Sequence, residues 1–188
     1  MLQTPPHTKR LFLALELSED FKAALLASPV PISNSRMTAP DKLHLTLRFL
    51  GNIPPMEEEK LIAVCQEIPL KSPIPLHPEG FGAFPSLKKA SSFHLKLKPL
   101  PVLTELKKLL DEKLELALGL PRENDYQPHI TLCRMKRSPR ESDLKALEAW
   151  THSQHPPQTL ARSLTLFHSQ QLPGEPLHHI PLFQAPLP

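Results

Sequence analysis

Two short stretches of the chain place a histidine two residues before a threonine. His44 and Thr46 lie in the stretch HLTLRFLG, and His129 and Thr131 lie in the stretch HITLCR. Both stretches alternate polar and apolar residues, as half-buried β-strands do, so each imidazole shares a strand face with the neighbouring hydroxyl. One copy alone would indicate only a strand with a solvated face. Two copies in matching contexts predict a single site built from two related strands.

Two imidazoles that face each other suit a reaction in which one proton is removed and another is supplied. The ordinary pKa of histidine is about 6.5, so the side chain can act as base or acid near neutral pH. Two threonine hydroxyls and a cation beside them can hold the oxygens of a phosphoryl group. We therefore expect in-line attack at phosphorus, with one histidine activating water and the other protonating the departing oxygen.

Strand alternation also makes predictions about the nearby cations. It places Arg48 on the face of His44, with the apolar side chains on the other face. It places Arg134 on the face opposite His129, so Arg134 joins the second motif only if its strand bends or ends there. Tyr126, in a polar loop just before the second motif, is a candidate platform for stacking a nucleobase. We expect Arg48 and Tyr126 to contact substrate.

The remaining histidines lack a hydroxyl two residues later, where a strand would put it beside the imidazole. We expect most of them at the surface: His7, His77, His94, His152, His155, His168, His178 and His179. A metal site is a weaker alternative, because each motif supplies one histidine and an open catalytic zinc site normally needs three protein ligands. We therefore predict no metal and no cofactor.

The composition is that of a single globular unit. The 188 residues are 40% apolar and 22% charged, close to the usual values for a folded domain. Two cysteines cannot form a disulfide framework, and no apolar run reaches the roughly 18 residues that cross a membrane. Without a secretory signal, we expect a cytoplasmic monomer with no obligate protein partner. The net charge of +3 is compatible with an anionic ligand.

Strand and helix patterns alternate twice along the chain. A strand, a helix, a His-x-Thr strand and a second helix occupy residues 10–68, and the same series recurs in residues 92–150. We predict one domain, residues 1–188, made of two lobes that arose from a duplicated unit. The predicted strands are 10–17, 44–50, 73–84 (irregular), 92–98, 128–134, 159–169 and 177–183, and the predicted helices are 21–28, 54–68, 101–119 and 141–150.

The two motifs with their flanks, HLTLRFLG and PHITLCR, resemble the paired signatures of the 2H phosphoesterase superfamily. The similarity is closest to its RNA 2′,3′-cyclic phosphodiesterases, also called 2′-5′ RNA ligases. Further landmarks appear in the same order, namely RLFLALEL near the start, then GAFPS and LTLFHSQQLPGEP. One departure is that Gly174 is followed by Glu-Pro-Leu-His-His, where family members often have a tyrosine.

The resemblance implies an α/β (α+β), bilobal fold of two pseudo-symmetric antiparallel sheets, with outer helices, around a central groove. It also implies metal-independent opening of an RNA 2′,3′-cyclic phosphate to a 2′-phosphate, and a substrate that is an RNA end or a nucleotide. Carried over by position, His44 is the acid and His129 the base, Thr46 and Thr131 complete the motifs, and Arg134 is the basic residue that follows the second motif.

Two other functions remain open from the sequence. The same residues with acid and base roles exchanged would support ligation of tRNA halves through a 2′-5′ bond. A groove that only recognises RNA ends or nucleotides is the non-catalytic alternative. Two titratable side chains are more than binding alone requires, which favours catalysis.

Overall fold

Ten β-strands and four α-helices form within residues 8–188, which are the residues that this computed structural model describes. His7 lies outside them. The helices are α1 (Glu19–Leu26), α2 (Pro55–Gln66), α3 (Pro101–Leu118) and α4 (Glu141–Ser153). The strands are β1 (Lys9–Glu16), β2 (Ser35–Met37), β3 (His44–Ile53), β4 (Pro75–Leu76), β5 (Pro78–Phe84), β6 (Ser92–Leu97), β7 (His129–Met135), β8 (Thr159–Leu160), β9 (Ser163–Gln170) and β10 (His178–Pro186).

Local signals set the helix ends. The Ser18 hydroxyl accepts a hydrogen bond from the backbone N–H of Phe21 at 3.3 Å, which caps α1. Pro101 opens α3, where its missing N–H costs nothing, and Gly119 ends that helix with a positive φ of 66°. The four predicted helices are confirmed, with ends that differ by a few residues. The sequence patterns did not predict the short strand β2.

Seven strands form an antiparallel path in the order β10-β9-β1-β3-β7-β6-β5, and β2 pairs with β7 as an eighth strand. β4 and β8 form a separate two-stranded sheet. The expected α/β fold with antiparallel sheets is confirmed. The two predicted sheets are, however, halves of one continuous sheet, because β3 and β7 pair through Leu45 and Ile130. Both halves contain the predicted series of strand, helix, His-x-Thr strand and helix, and the duplication stays a prediction.

The helices cover one face of the sheet and leave the other open. Leu13 of β1, Leu45 of β3 and Ile130 of β7 are fully buried in the main core. Each helix adds apolar side chains to the same core, for example Phe21, Leu61, Leu110 and Leu147. On the opposite face, Phe12, Ala14 and Phe167 form a small second cluster. Every helix within residues 8–188 is too short or too polar to cross a membrane.

Both His-x-Thr strands contain a β-bulge directly after the threonine. In β3, Thr46 pairs with Ala14 and Arg48 pairs with Leu13, so Leu47 is the extra residue. In β7, Thr131 pairs with His94 and Cys133 pairs with Phe93, so Leu132 is the extra residue. A bulge breaks the alternation of faces, and therefore the side chains directly after it lie on the face opposite to the one that alternation predicts.

The burial of α3 predicts the effect of two leucine substitutions in one helix. Leu110 is fully buried, whereas Leu116 is 86% exposed. Leu110→Ala should lower the free energy of unfolding by about 2–5 kcal/mol, because it removes buried methyl groups and leaves a cavity. Leu116→Ala should change it by less than about 0.5 kcal/mol. Urea denaturation of both variants measures the difference, and equal losses would contradict the packing of α3.

Candidate active site

The pairing of β3 with β7 brings the two motifs together on the open face of the sheet. Leu45 pairs with Ile130, so antiparallel register extended by one residue places His44 beside Thr131 and Thr46 beside His129. Each histidine thus lies next to the threonine of the other motif. The two imidazoles are also close enough for the charge on His129 to lower the pKa of His44.

Hydrogen bonds orient both imidazoles. His129 Nδ1 lies 2.8 Å from the backbone oxygen of Gln127. Because a carbonyl oxygen only accepts, Nδ1 carries the hydrogen and Nε2 is left to exchange a proton. His44 Nε2 lies 3.1 Å from the hydroxyl of Thr46, and the ring also hydrogen-bonds the backbone of Lys42. Both histidines are therefore held by the backbone two residues before them.

His44 lies in an aromatic cluster on the open face. Its ring centroid is 5.0 Å from that of Phe12, 5.3 Å from that of His179 and 6.2 Å from that of Phe167. Burial and the charge of the neighbouring His179 lower the pKa of His44 to about 4, although the hydrogen bond to Lys42 opposes this. His44 is therefore neutral in the free protein at pH 7.

A matching aromatic cluster surrounds His129. His94 lies 4.9 Å away between ring centroids, and Phe84 contacts both rings, at 4.4 Å from His94 and 4.9 Å from His129. This packing of the His94 ring requires a glycine at position 82, because a Cβ on Gly82 would lie 2.6 Å from His94 Nε2. Burial, and then the nearby His129, lower the pKa of His94 to about 4. Each motif histidine thus has a second histidine beside it.

The expectation that the other histidines lie at the surface is wrong for His94, which is only 4% exposed. His179 is half-buried against His44. Neither is followed by a hydroxyl two residues later, so the His-x-Thr pattern does not include them. His94 is opposite Thr131 in the β6–β7 register, a relation that only the paired strands reveal. Of the others, His77 and His168 are half-buried, and the exposed ones are His152, His155 and His178.

The bulges reverse both predictions made from alternation. Arg48 does not share the open face with His44, because the bulge at Leu47 turns it toward α3, where it is 5% exposed. The equivalent bulge at Leu132 turns Arg134 onto the open face, where it is exposed. The prediction is that Arg134 joins the second motif only if its strand bends or ends there, and the bulge is such an irregularity.

Arg48 belongs to an ion cluster that borders the site and is buried except for Glu123. Its guanidinium lies 3.5 Å from Asp111 and 3.3 Å from Glu123, and it donates a hydrogen bond to the backbone oxygen of Pro121. Lys107 lies 2.5 Å from Asp111 and 3.2 Å from Glu123. The cluster joins β3 and α3 to the loop that leads into β7. Arg48 therefore holds the loop in place, and it is not on the open face beside His44 as alternation predicts. It does line the cavity next to Thr46 and His129, and its contact with substrate stays a prediction.

Tyr126 also fastens this loop to the first motif. Its hydroxyl donates a hydrogen bond to the backbone oxygen of Thr46 at 3.2 Å, and the ammonium of Lys107 lies 5.3 Å from its ring centroid. Tyr126 lines a cavity of about 530 Å³ together with Thr46, Phe49, Phe84 and His129. The predicted role in stacking a base stays a prediction.

Within the part of the chain that the structure describes, no three histidine, cysteine or acidic side chains are placed to hold a metal ion. The two histidine pairs lack a third ligand of this kind. The predicted independence from metal and cofactor stays a prediction, which a chelator can test.

Substitution of His179 should raise the pKa of His44. The His179→Ala change removes both a charge that opposes protonation and part of the surface that buries the His44 ring, so the pKa should move up from about 4. His178→Ala, which removes an exposed neighbour, is the control. An NMR titration of the imidazole signals measures both variants. An unchanged pKa in His179→Ala would contradict the described packing.

Comparison with known proteins agrees with this geometry. The sequence profile of the 2′-5′ RNA ligase superfamily matches residues 31–171. An RNA 2′,3′-cyclic phosphodiesterase from Archaeoglobus fulgidus is 30% identical over 141 residues, which cover 72% of this chain and 78% of the relative.

Solved structures show the same fold over almost the whole chain. The protein TT0787 from Thermus thermophilus matches with a TM-score of 0.74 and 26% identity, covering 95% of this chain and 97% of its own. E. coli LigT complexed with ATP matches with a TM-score of 0.70 and 25% identity, covering 96% and 98%. The resemblance inferred from the motifs is confirmed, and the chain belongs to the 2′-5′ RNA ligase superfamily.

Proposed function

We propose that the protein hydrolyses 2′,3′-cyclic phosphate ends of RNA to 2′-phosphates, with proton transfer by His44 and His129. The observation that carries this proposal is the pairing of the two motif strands through Leu45 and Ile130, with His129 close enough to His44 to lower its pKa. Curated relatives of the chain are RNA 2′,3′-cyclic phosphodiesterases, which supports the same reaction and substrate.

In the proposed reaction, His129 Nε2 takes a proton from water as the water oxygen attacks phosphorus. The bond from phosphorus to the 3′ oxygen breaks, and His44 gives that oxygen a proton. The bond to the 2′ oxygen remains, so the product has a 2′-phosphate and a 3′-hydroxyl. Thr46 and Thr131 donate hydrogen bonds to the non-bridging oxygens, and Arg134 offsets their negative charge.

The low pKa of His44 determines when this residue acquires its proton. Burial and His179 keep His44 unprotonated in the free protein at neutral pH. A cyclic phosphate carries a negative charge, and an opposite charge within a few ångströms raises the pKa of a histidine. His44 therefore gains its proton when the substrate is bound, so the general acid is protonated only in an occupied site.

Turnover of an RNA oligonucleotide with a 2′,3′-cyclic phosphate end tests the proposal. In excess chelator, the wild-type protein should form a 2′-phosphate at an undiminished rate. His44→Ala and His129→Ala should each lower kcat by roughly 10²–10⁴-fold, because each removes one proton transfer. His155→Ala, an exposed histidine away from the motifs, should leave the rate unchanged.

The product and the variants also separate the alternatives. A 3′-phosphate product, or rates unaffected by either motif substitution, would contradict the proposed mechanism. Binding of the RNA end without turnover by the wild-type protein would favour a recognition groove. Loss of activity in chelator, restored by added metal, would favour metal-dependent chemistry.

A further inference from the structure

Two arginines lie side by side on the open face, one strand beyond the second motif. β2 pairs with β7 so that Arg36 lies opposite Arg134 and Met37 lies opposite Cys133. Met37 packs against the main core and Cys133 is buried, so Arg36 and Arg134 point to the other face. Both arginines are exposed. The sequence patterns did not predict β2, and Arg36 has no role in the mechanism described above.

Like charges directly opposite each other on neighbouring strands destabilise the pair, since their Cβ atoms are about 4.5–5.5 Å apart. Within residues 8–188, neither Arg36 nor Arg134 forms an ion pair with an acidic side chain. Other arginines of the protein do, for example Arg48, Arg122 and Arg137. The arginine pair therefore lacks an internal counter-charge, which an anionic ligand would supply.

The two ends of the groove also differ in charge. Burial lowers the pKa of His179, and the nearby Lys42 and Arg134 lower it further while Asp41 opposes them, so two cations and one carboxylate lie at the His44 end. The charged residues that line the cavity at the His129 end are Glu123 and Asp125, with Arg48, which is paired with Glu123, as the one cation among them. A phosphate is favoured at the first end and disfavoured at the second.

We propose that Arg36 binds the phosphodiester that precedes the terminal cyclic phosphate. Arg134 follows the second motif and meets the reacting phosphate, and Arg36, one strand further out, meets the next phosphate of the chain. The substrate class is then an RNA end with at least one internal phosphodiester, in preference to a free nucleoside cyclic phosphate. This inference rests on the proposed function and adds the direction in which RNA lies in the groove.

The test compares two substrates that differ by one nucleotide. Adenosine 2′,3′-cyclic phosphate has only the reacting phosphate, and the dinucleotide ApA with a 2′,3′-cyclic end adds one phosphodiester. The wild-type protein should show a kcat/KM about tenfold higher for the dinucleotide, the typical effect of one charge-assisted contact. In Arg36→Ala this ratio should fall toward one. Arg162→Ala, an exposed arginine between β8 and β9, should keep the wild-type ratio.

Salt dependence gives a second measurement on the same proteins. For the dinucleotide, the slope of log kcat/KM against log salt concentration should become shallower by about 0.7 in Arg36→Ala, as expected for one lost phosphate contact on a single strand. Equal kcat/KM for both substrates in the wild-type protein, or an unchanged ratio in Arg36→Ala, would overturn the proposed role of Arg36. Either result would leave the proposed function standing. No turnover of either substrate would instead overturn the proposed function and this inference with it.

Discussion

The pairing of β3 with β7 is the constraint on which the site depends. Leu45 and Ile130 are both fully buried, and their side chains anchor the two strands to the core on the covered face of the sheet. A slip of one residue in either strand would send its histidine and threonine to the opposite face. The apolar residue inside each His-x-Thr motif therefore fixes the register that puts the polar residues together.

The duplicated bulges give the two ends of the groove different chemistry. Each bulge follows the threonine and brings the third residue after that threonine onto the open face, where β3 has Phe49 and β7 has Arg134. An aromatic ring and a cation thus occupy equivalent positions around an otherwise symmetric centre. The same step buries Arg48 in the first half and Cys133 in the second. On the proposed function, two similar strands would in this way meet the unlike parts of a nucleotide.

The parts of the fold that depend on local signals could be predicted from the sequence. Periodicity located the helices, Ser18 and Gly119 marked helix ends, and the repeated His-x-Thr located the centre of the site. The faces of the sheet on which Arg48 and Arg134 lie could not be predicted, because a bulge has no signature in these residues. The positions of His94 and His179 depend on the register between strands distant in sequence, which alternation within one strand does not determine.

A crystal structure with the product nucleoside 2′-phosphate bound tests the central claim that both motifs act on one phosphate. The phosphorus should lie between the two imidazoles, with Nε2 of His44 and of His129 each within about 3 Å of a product or water oxygen. The hydroxyls of Thr46 and Thr131 should donate to the remaining oxygens. A phosphate held by one motif alone, with the other histidine out of reach, would contradict the claim.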